Sequence, residues 1–231
     1  MANRALILVH DPAPDRRERV PGAIVPALST RDIKHAVASL VAEAAPDPAG
    51  YDLLVVMGSS ESAADDTVPW LAAELAFVRA MVERGVPTLG VCFGGQLLAR
   101  ILGGTARRAA LPEFGFTTVE TDDADRVPAG PWLQFHSDVF VPPPGTELAH
   151  NASGAQAFAS GKVSGVQFHP EMTADTFASL RERWAAVGWA PRSEVDVERL
   201  HADIAAGEAR GRDLCDQLVG AFCADTLKGR S

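Results

Sequence analysis

The chain is poor in cysteine, in lysine and in long apolar runs. Its three cysteines, Cys92, Cys215 and Cys223, make an odd count with no C-x-x-C pair. That excludes a disulfide framework and argues against a structural zinc site. Only three of the 21 basic residues are Lys (Lys34, Lys162 and Lys228), and 30 acidic residues outweigh them, for a formal charge of −9. A phosphate-tracking nucleic-acid binder needs a basic stripe and a polybasic anchor needs a basic cluster, so neither partner is expected. No window approaches about 18 apolar residues, so no membrane span is expected. The opening MANRALILVHDPAPD has one short apolar run, Ala5 to Val9, with Asp11 soon after, too brief for a secretion signal. The expected location is cytoplasmic, where the Asn151-Ala152-Ser153 sequon is a chance match.

At 231 residues the chain is long enough to bury about 70% of its unfolded surface. Short runs of Val, Ile and Leu recur: Ala5–His10, Asp52–Met57 and Thr88–Val91. They are continuous rather than alternating, as in parallel strands covered on both faces. Between them Val68–Arg84 has helical apolar spacing and Gly85 as a stop, and Gly94–Leu102 reads as a second helix. Thr30–Ala45 fits a helix with Thr30 as N-cap, with a strand at Ile33–Val37 as the alternative. From Phe114 the texture turns β-like, with short runs at Phe116–Glu120, Trp132–Phe135, Glu147–His150, Gln156–Ala159 and Val163–Phe168 and a hairpin turn at Gly161-Lys162. Thr173–Val187 reads as a helix with Phe177 and Trp184 inward, and Val195–Lys228 as a packed helical tail broken near Gly207–Gly211. The expected fold is α/β: three layers, a mostly parallel central sheet with helices on both faces, and a smaller β-rich part.

The sharpest feature is Gly90-Val91-Cys92-Phe93-Gly94-Gly95-Gln96, after a strand and at the start of a helix. A nucleophile on a tight strand-to-helix turn needs small neighbours two residues to either side, and Gly90 and Gly94 supply them. Such an elbow places the sulfur over the carboxyl ends of the strands, where open α/β sheets bind ligands. The helix N-terminus favours a thiolate there, and the Phe93 N–H is placed to bind an oxyanion. A thiolate needs a base, and a base needs an orienting group. His169-Pro170-Glu171 supplies both at the end of a β-like run, and His136-Ser137-Asp138 ends another. The remaining histidines, His10, His35, His150 and His201, have no such setting and read as structural or solvated. A metal site built from His136, Asp138, His169 and Glu171 has no helix-spaced pair behind it.

Gly90–Gln96 together with Val166-Gln167-Phe168-His169-Pro170-Glu171, 77 residues on from Cys92 to His169, resembles the class I glutamine amidotransferase family. Val55–Ser62 looks like that family's V-V-M-G-G-P-x-S loop. Glu113-Phe114-Gly115 and Phe135-His136-Ser137-Asp138 look like segments of the amidotransferase domain of GMP synthase and its stand-alone relatives. The resemblance spans about residues 4–175 and implies a domain at 1–190 with 191–231 as a helical extension packed on it. It implies a triad of Cys92, His169 and Glu171 that hydrolyses the glutamine side-chain amide through a γ-glutamyl thioester. It further implies an oxyanion hole of the Ser59 and Phe93 N–H groups, each donor worth about 3–4 kcal/mol of barrier. Gly58, Gln96, Glu113, Phe135 and His136 are the implied substrate-binding residues, without metal or cofactor.

One departure is that the G-G-P triplet is Gly58-Ser59-Ser60. If the middle position needs φ > 0, Ser there is strained, and without Pro the loop is looser. No synthetase domain follows, so ammonia would pass to a separate synthase subunit or to none. The alternatives are a γ-glutamyl amide or peptide hydrolase of the same fold, and a catalytically weak domain that binds glutamine and regulates a partner.

Overall fold

The computed structural model describes residues 3–188, 190 and 195–227. Five strands form a parallel array in the order β2 (Lys34–Ala38), β1 (Arg4–Leu8), β3 (Leu53–Val56), β4 (Thr88–Val91) and β10 (Val163–Val166). The sheet continues antiparallel through β9 (Gly154–Ser160), β8 (Glu147–Asn151) and β6 (Glu120–Thr121). The β9–β10 hairpin turns at Gly161-Lys162, as its sequence predicts, with Gly161 at φ 59°. Strands β5 (Thr105–Thr117) and β7 (Trp132–Val141) form a separate antiparallel ribbon.

Side-chain alternation sorts the central strands into two faces. Ala5, Ile7, Val9, Leu53, Val55, Leu89 and Val91 pack with α2 (Ile24–Ser29) and the inner face of α6 (Val197–Thr226). Leu6, Leu8, Leu54 and Val56 pack with α3 (Leu71–Glu83) and α4 (Phe93–Ile101) on the other face. This is the expected three-layer α/β architecture. α1 (Pro14–Arg17) is a single turn after β1. α5 (Ala174–Val187) is capped by the Thr173 side chain and stopped by Gly188 in the left-handed region. Its Phe177 and Trp184 face inward, onto Leu133, Leu200 and Ile204.

Three expectations are corrected. Thr30–Ala45 is not a helix: Thr30 closes α2, Asp32 turns the chain at φ 55°, and Lys34–Ala38 pairs residue for residue with Arg4–Leu8. The Ile33–Val37 strand is the reading that holds, because an open edge of β1 offers that segment ladder bonds that the helix alternative lacks.

The tail helix is not broken near Gly207–Gly211 and runs unbroken over 30 residues. Each glycine costs about 1 kcal/mol in a helix. Burial of Leu200, Ile204, Leu214, Leu218, Val219 and Phe222 along one face outweighs that, at about 1.5–3 kcal/mol per side chain.

The run placed at Phe116–Glu120 is split between the end of β5 and β6, and β5 begins eleven residues earlier, at Thr105. Polar Arg107-Arg108 and the irregular register between Arg108 and Glu113 hide this strand from a periodicity argument.

Candidate active site

Four parallel strands deliver their next residues to the same carboxyl edge: β1 to His10, β3 to Gly58, β4 to Cys92, and β10 to Gln167 and His169. Cys92 stands at φ 52°, ψ −108°, a conformation L-residues avoid, held by its N–H to Val166 O (2.8 Å) and by Gln96 N–H to its carbonyl (3.0 Å). The elbow glycines are sterically required. A Cβ on Gly90 would meet the Gly94 carbonyl carbon at 2.4 Å, and one on Gly94 would meet Val56 O at 2.0 Å. The Cys92 side chain is buried, and Gln167 Nε2 approaches its sulfur at 3.7 Å.

His169 is fixed by its backbone N–H to Leu133 O at 2.9 Å, and its Nδ1 meets Glu171 Oε1 at 2.7 Å. Nδ1 is thus committed to Glu171. Nε2 is buried without another partner and is the nitrogen left for chemistry. Burial disfavours the imidazolium, but the Glu171 carboxylate and the Cys92 sulfur overcome it and hold the His169 pKa well above the ordinary 6.5. Gly58 closes the group: a Cβ there would lie 3.2 Å from His169 Cε1 and 3.7 Å from Cys92 Cβ. Cys92, His169, Glu171 and Gly58 therefore lie together at this edge of the sheet. Burial pushes the Cys215 thiol far up and the Cys223 thiol up to about 11, so both are inert at neutral pH.

The Gly58-Ser59-Ser60 loop does not carry the strain that its sequence raised. Among the described residues only Asp32 and Cys92 are non-glycine positions with positive φ, so Ser59 is in an ordinary conformation. Side chains replace the missing proline as restraints. Ser59 Oγ accepts from the Glu61 N–H at 3.2 Å, and Ser60 Oγ from Arg183 Nη2 at 3.2 Å. Phe93, whose N–H opens α4, packs its ring against His10 and Trp70.

The remaining predicted residues are held as follows. Gln96 is buried and donates to Asp138 O (3.0 Å) and Gln167 Oε1 (3.3 Å), so its amide braces the site from beneath. Glu113 accepts from Asn151 Nδ2 (2.7 Å) and Gln156 Nε2 (3.0 Å) and lies 3.2 Å from His136 Nε2. Phe135 stacks on Trp184 and meets Phe114 and Phe177 edge-on, within an aromatic cluster. Sequence reasoning gave Glu74 and Gln167 no role of their own and read His10 only as structural or solvated. His10 sits where a parallel strand meets the carboxyl edge, which is the one signal that could have singled it out. Among the described residues no three His, Cys, Asp or Glu side chains converge as a metal-binding group.

Residues 20–183, more than half of the chain, match the family model described as glutamine amidotransferase class-I. A subunit of the glutamine-hydrolyzing GMP synthase of Sulfolobus acidocaldarius is 38% identical over 97 residues, covering 38% of this chain and 52% of that protein. The GMP synthase of Aeropyrum pernix is 34% identical over 123 residues, covering 49% of this chain and 24% of that protein. The chain thus spans about a quarter to a half of the length of these relatives. A solved glutamine amidotransferase from Thermotoga maritima shares the fold at TM-score 0.81 and 22% identity, covering 96% of this chain and 98% of that one. One from Methylobacillus flagellatus does so at TM-score 0.76 and 21% identity, covering 98% and 96%. With the elbow, the paired His169–Glu171 and this match in hand, the chain belongs to the class I glutamine amidotransferase family.

Proposed function

We propose that the chain hydrolyses glutamine to glutamate and ammonia, with Cys92 as nucleophile. The Cys92 thiolate attacks the side-chain carboxamide carbon. His169, protonated on Nε2, gives that proton to the departing ammonia, leaving a γ-glutamyl thioester. His169 then takes a proton from water as the hydroxyl attacks, and glutamate leaves with the thiolate restored. The oxyanion of each tetrahedral intermediate rests on the N–H groups of Ser59 and Phe93. Gly58 and Gln96 border and brace the glutamine pocket. Residues 1–190 form the catalytic unit, and the extension that follows packs on it through Val197–Thr226. The ammonia goes to a separate synthase polypeptide. The relative from Sulfolobus acidocaldarius, named as one subunit of a GMP synthase, supports that reading.

The observation that carries this reading is His169. Its Nδ1 is taken by Glu171, its Nε2 is free, and its proton is held by the two neighbours the reaction requires. Glutamate and ammonia release from free glutamine tests it, with Cys92→Ala as control. Release by the native chain and none by Cys92→Ala is expected, and release that survives the substitution rejects the mechanism. Inertness toward glutamine with turnover of γ-glutamyl amines would move the substrate to that class.

A further inference from the structure

Behind the Gly58 loop lies a buried polar pair that the proposed chemistry does not use. His10 and Glu74 have fully buried side chains, and His10 Nε2 meets Glu74 Oε1 at 2.8 Å. His10 Nδ1 meets the carbonyl oxygen of Gly58 at 2.8 Å. A carbonyl only accepts, so Nδ1 carries the proton and donates. The ring is clamped by Trp70, stacked at 4.9 Å, and by the edge of Phe93 at 4.7 Å. A buried polar pair is costly beside an apolar one of equal volume, and Glu74 Oε2 is left with no partner. The backbone group that this arrangement serves is the Gly58 carbonyl.

That carbonyl and the Ser59 N–H belong to one peptide unit. In a trans peptide the two point in opposite directions, so fixing one fixes the other. We propose that His10 is a positioning residue for the oxyanion site: its Nδ1–H holds the Gly58 carbonyl and thereby aims the Ser59 N–H at the substrate carbonyl. The inference rests on the glutaminase reading above. The same ring packs on Phe93, whose N–H is the second donor, so one side chain registers both arms of the hole. It supplies a restraint to a loop in which Ser59 and Ser60 stand where the family has Gly and Pro.

The test compares two double variants in the full chain, so that no unpaired Glu74 is left buried. His10→Phe with Glu74→Leu keeps the ring packing and removes the donor. His10→Asn with Glu74→Leu places an amide nitrogen where Nδ1 stands and restores it. The first is expected to lower kcat for glutamine about 10- to 100-fold, part of the loss seen when an oxyanion donor is deleted, with KM changed less than about threefold. The second recovers most of that kcat. Alkylation of Cys92 by iodoacetamide, a displacement with no oxyanion, proceeds at the native rate in both. A native kcat in the Phe variant overturns the proposal, as does a loss matched by slower alkylation or one that Asn fails to recover. If the native chain releases no glutamate from glutamine, the functional reading fails and the positioning claim is decided by crystal structures. A Gly58–Ser59 peptide plane that rotates in the Phe variant and not in the Asn variant supports the claim, and an unmoved plane in both overturns it.

Discussion

His169 Nδ1 and Glu171 Oε1 lie 2.7 Å apart with only Pro170 between their residues. The carboxylate and the Cys92 sulfur hold a proton on His169 against the effect of burial. Glu171→Gln removes one of those two charges and leaves burial unopposed by it. The kcat for glutamine is expected to fall about 10³- to 10⁴-fold, as when the orienting acid of a triad is neutralised. The alkaline limb of the kcat–pH profile, which in the proposed mechanism follows loss of the His169 proton, is expected to shift to lower pH. An unmoved limb would remove His169 as the acid.

The same shift has a consequence for stability. The folded chain binds the His169 proton more tightly than the unfolded chain, whose histidines titrate near 6.5. The stabilisation is full below that pH and is lost as pH rises through the raised folded value. Urea unfolding of the native chain and of Glu171→Gln across this window is expected to differ most at the acid end of it. Parallel curves would contradict the assignment.

Gly94→Ala would force a Cβ to within 2.0 Å of Val56 O, and Gly90→Ala would place one 2.4 Å from the Gly94 backbone. Both contacts are backbone, so no rotamer relieves them. Each substitution is expected to cost about 2–3 kcal/mol or more, lowering Tm by roughly 5–10 °C for a chain of this size. A melting scan with no shift would refute the tight elbow.

How much of this was legible beforehand follows from what kind of signal each residue emits. Cys92, His169 and Glu171 lie in two contiguous strings whose small and charged residues are spaced by the chemistry itself, and the central strands show as unbroken apolar runs. His10 and Glu74 are 64 residues apart, and only the sheet order that sets β1 beside β3 brings their pair up to Gly58. The uninterrupted α6 was hidden for the opposite reason. Gly207 and Gly211 send a strong local signal to stop, and tertiary burial along the helix overrides it.

That override leaves room for improvement. A Cβ at Gly207 or Gly211 meets nothing within 4 Å. Replacing both by Ala is expected to stabilise the chain by about 1–2 kcal/mol through helix propensity, raising Tm by several degrees. A lower Tm would mean that the helix is not regular there.

The backbone strain at Cys92 can be isolated by comparing two variants that both lack the thiol. Cys92→Ala keeps a Cβ at φ 52°, whereas Cys92→Gly does not. Glycine is expected to be the more stable of the two by about 1 kcal/mol, after its greater unfolded entropy is taken off a strain of about 1–3 kcal/mol. Equal melting temperatures would show that the elbow stores no strain.

The proposed reaction turns on a covalent bond to one sulfur. The native chain, mixed with glutamine and quenched in acid within the first turnovers, is to be digested and its cysteine peptides weighed. The prediction is an adduct of glutamine less ammonia on the peptide bearing Cys92, absent from Cys215 and Cys223 and absent from Cys92→Ala. Glutamate release with the adduct on another residue, or glutamate release undiminished in Cys92→Ala, would contradict it.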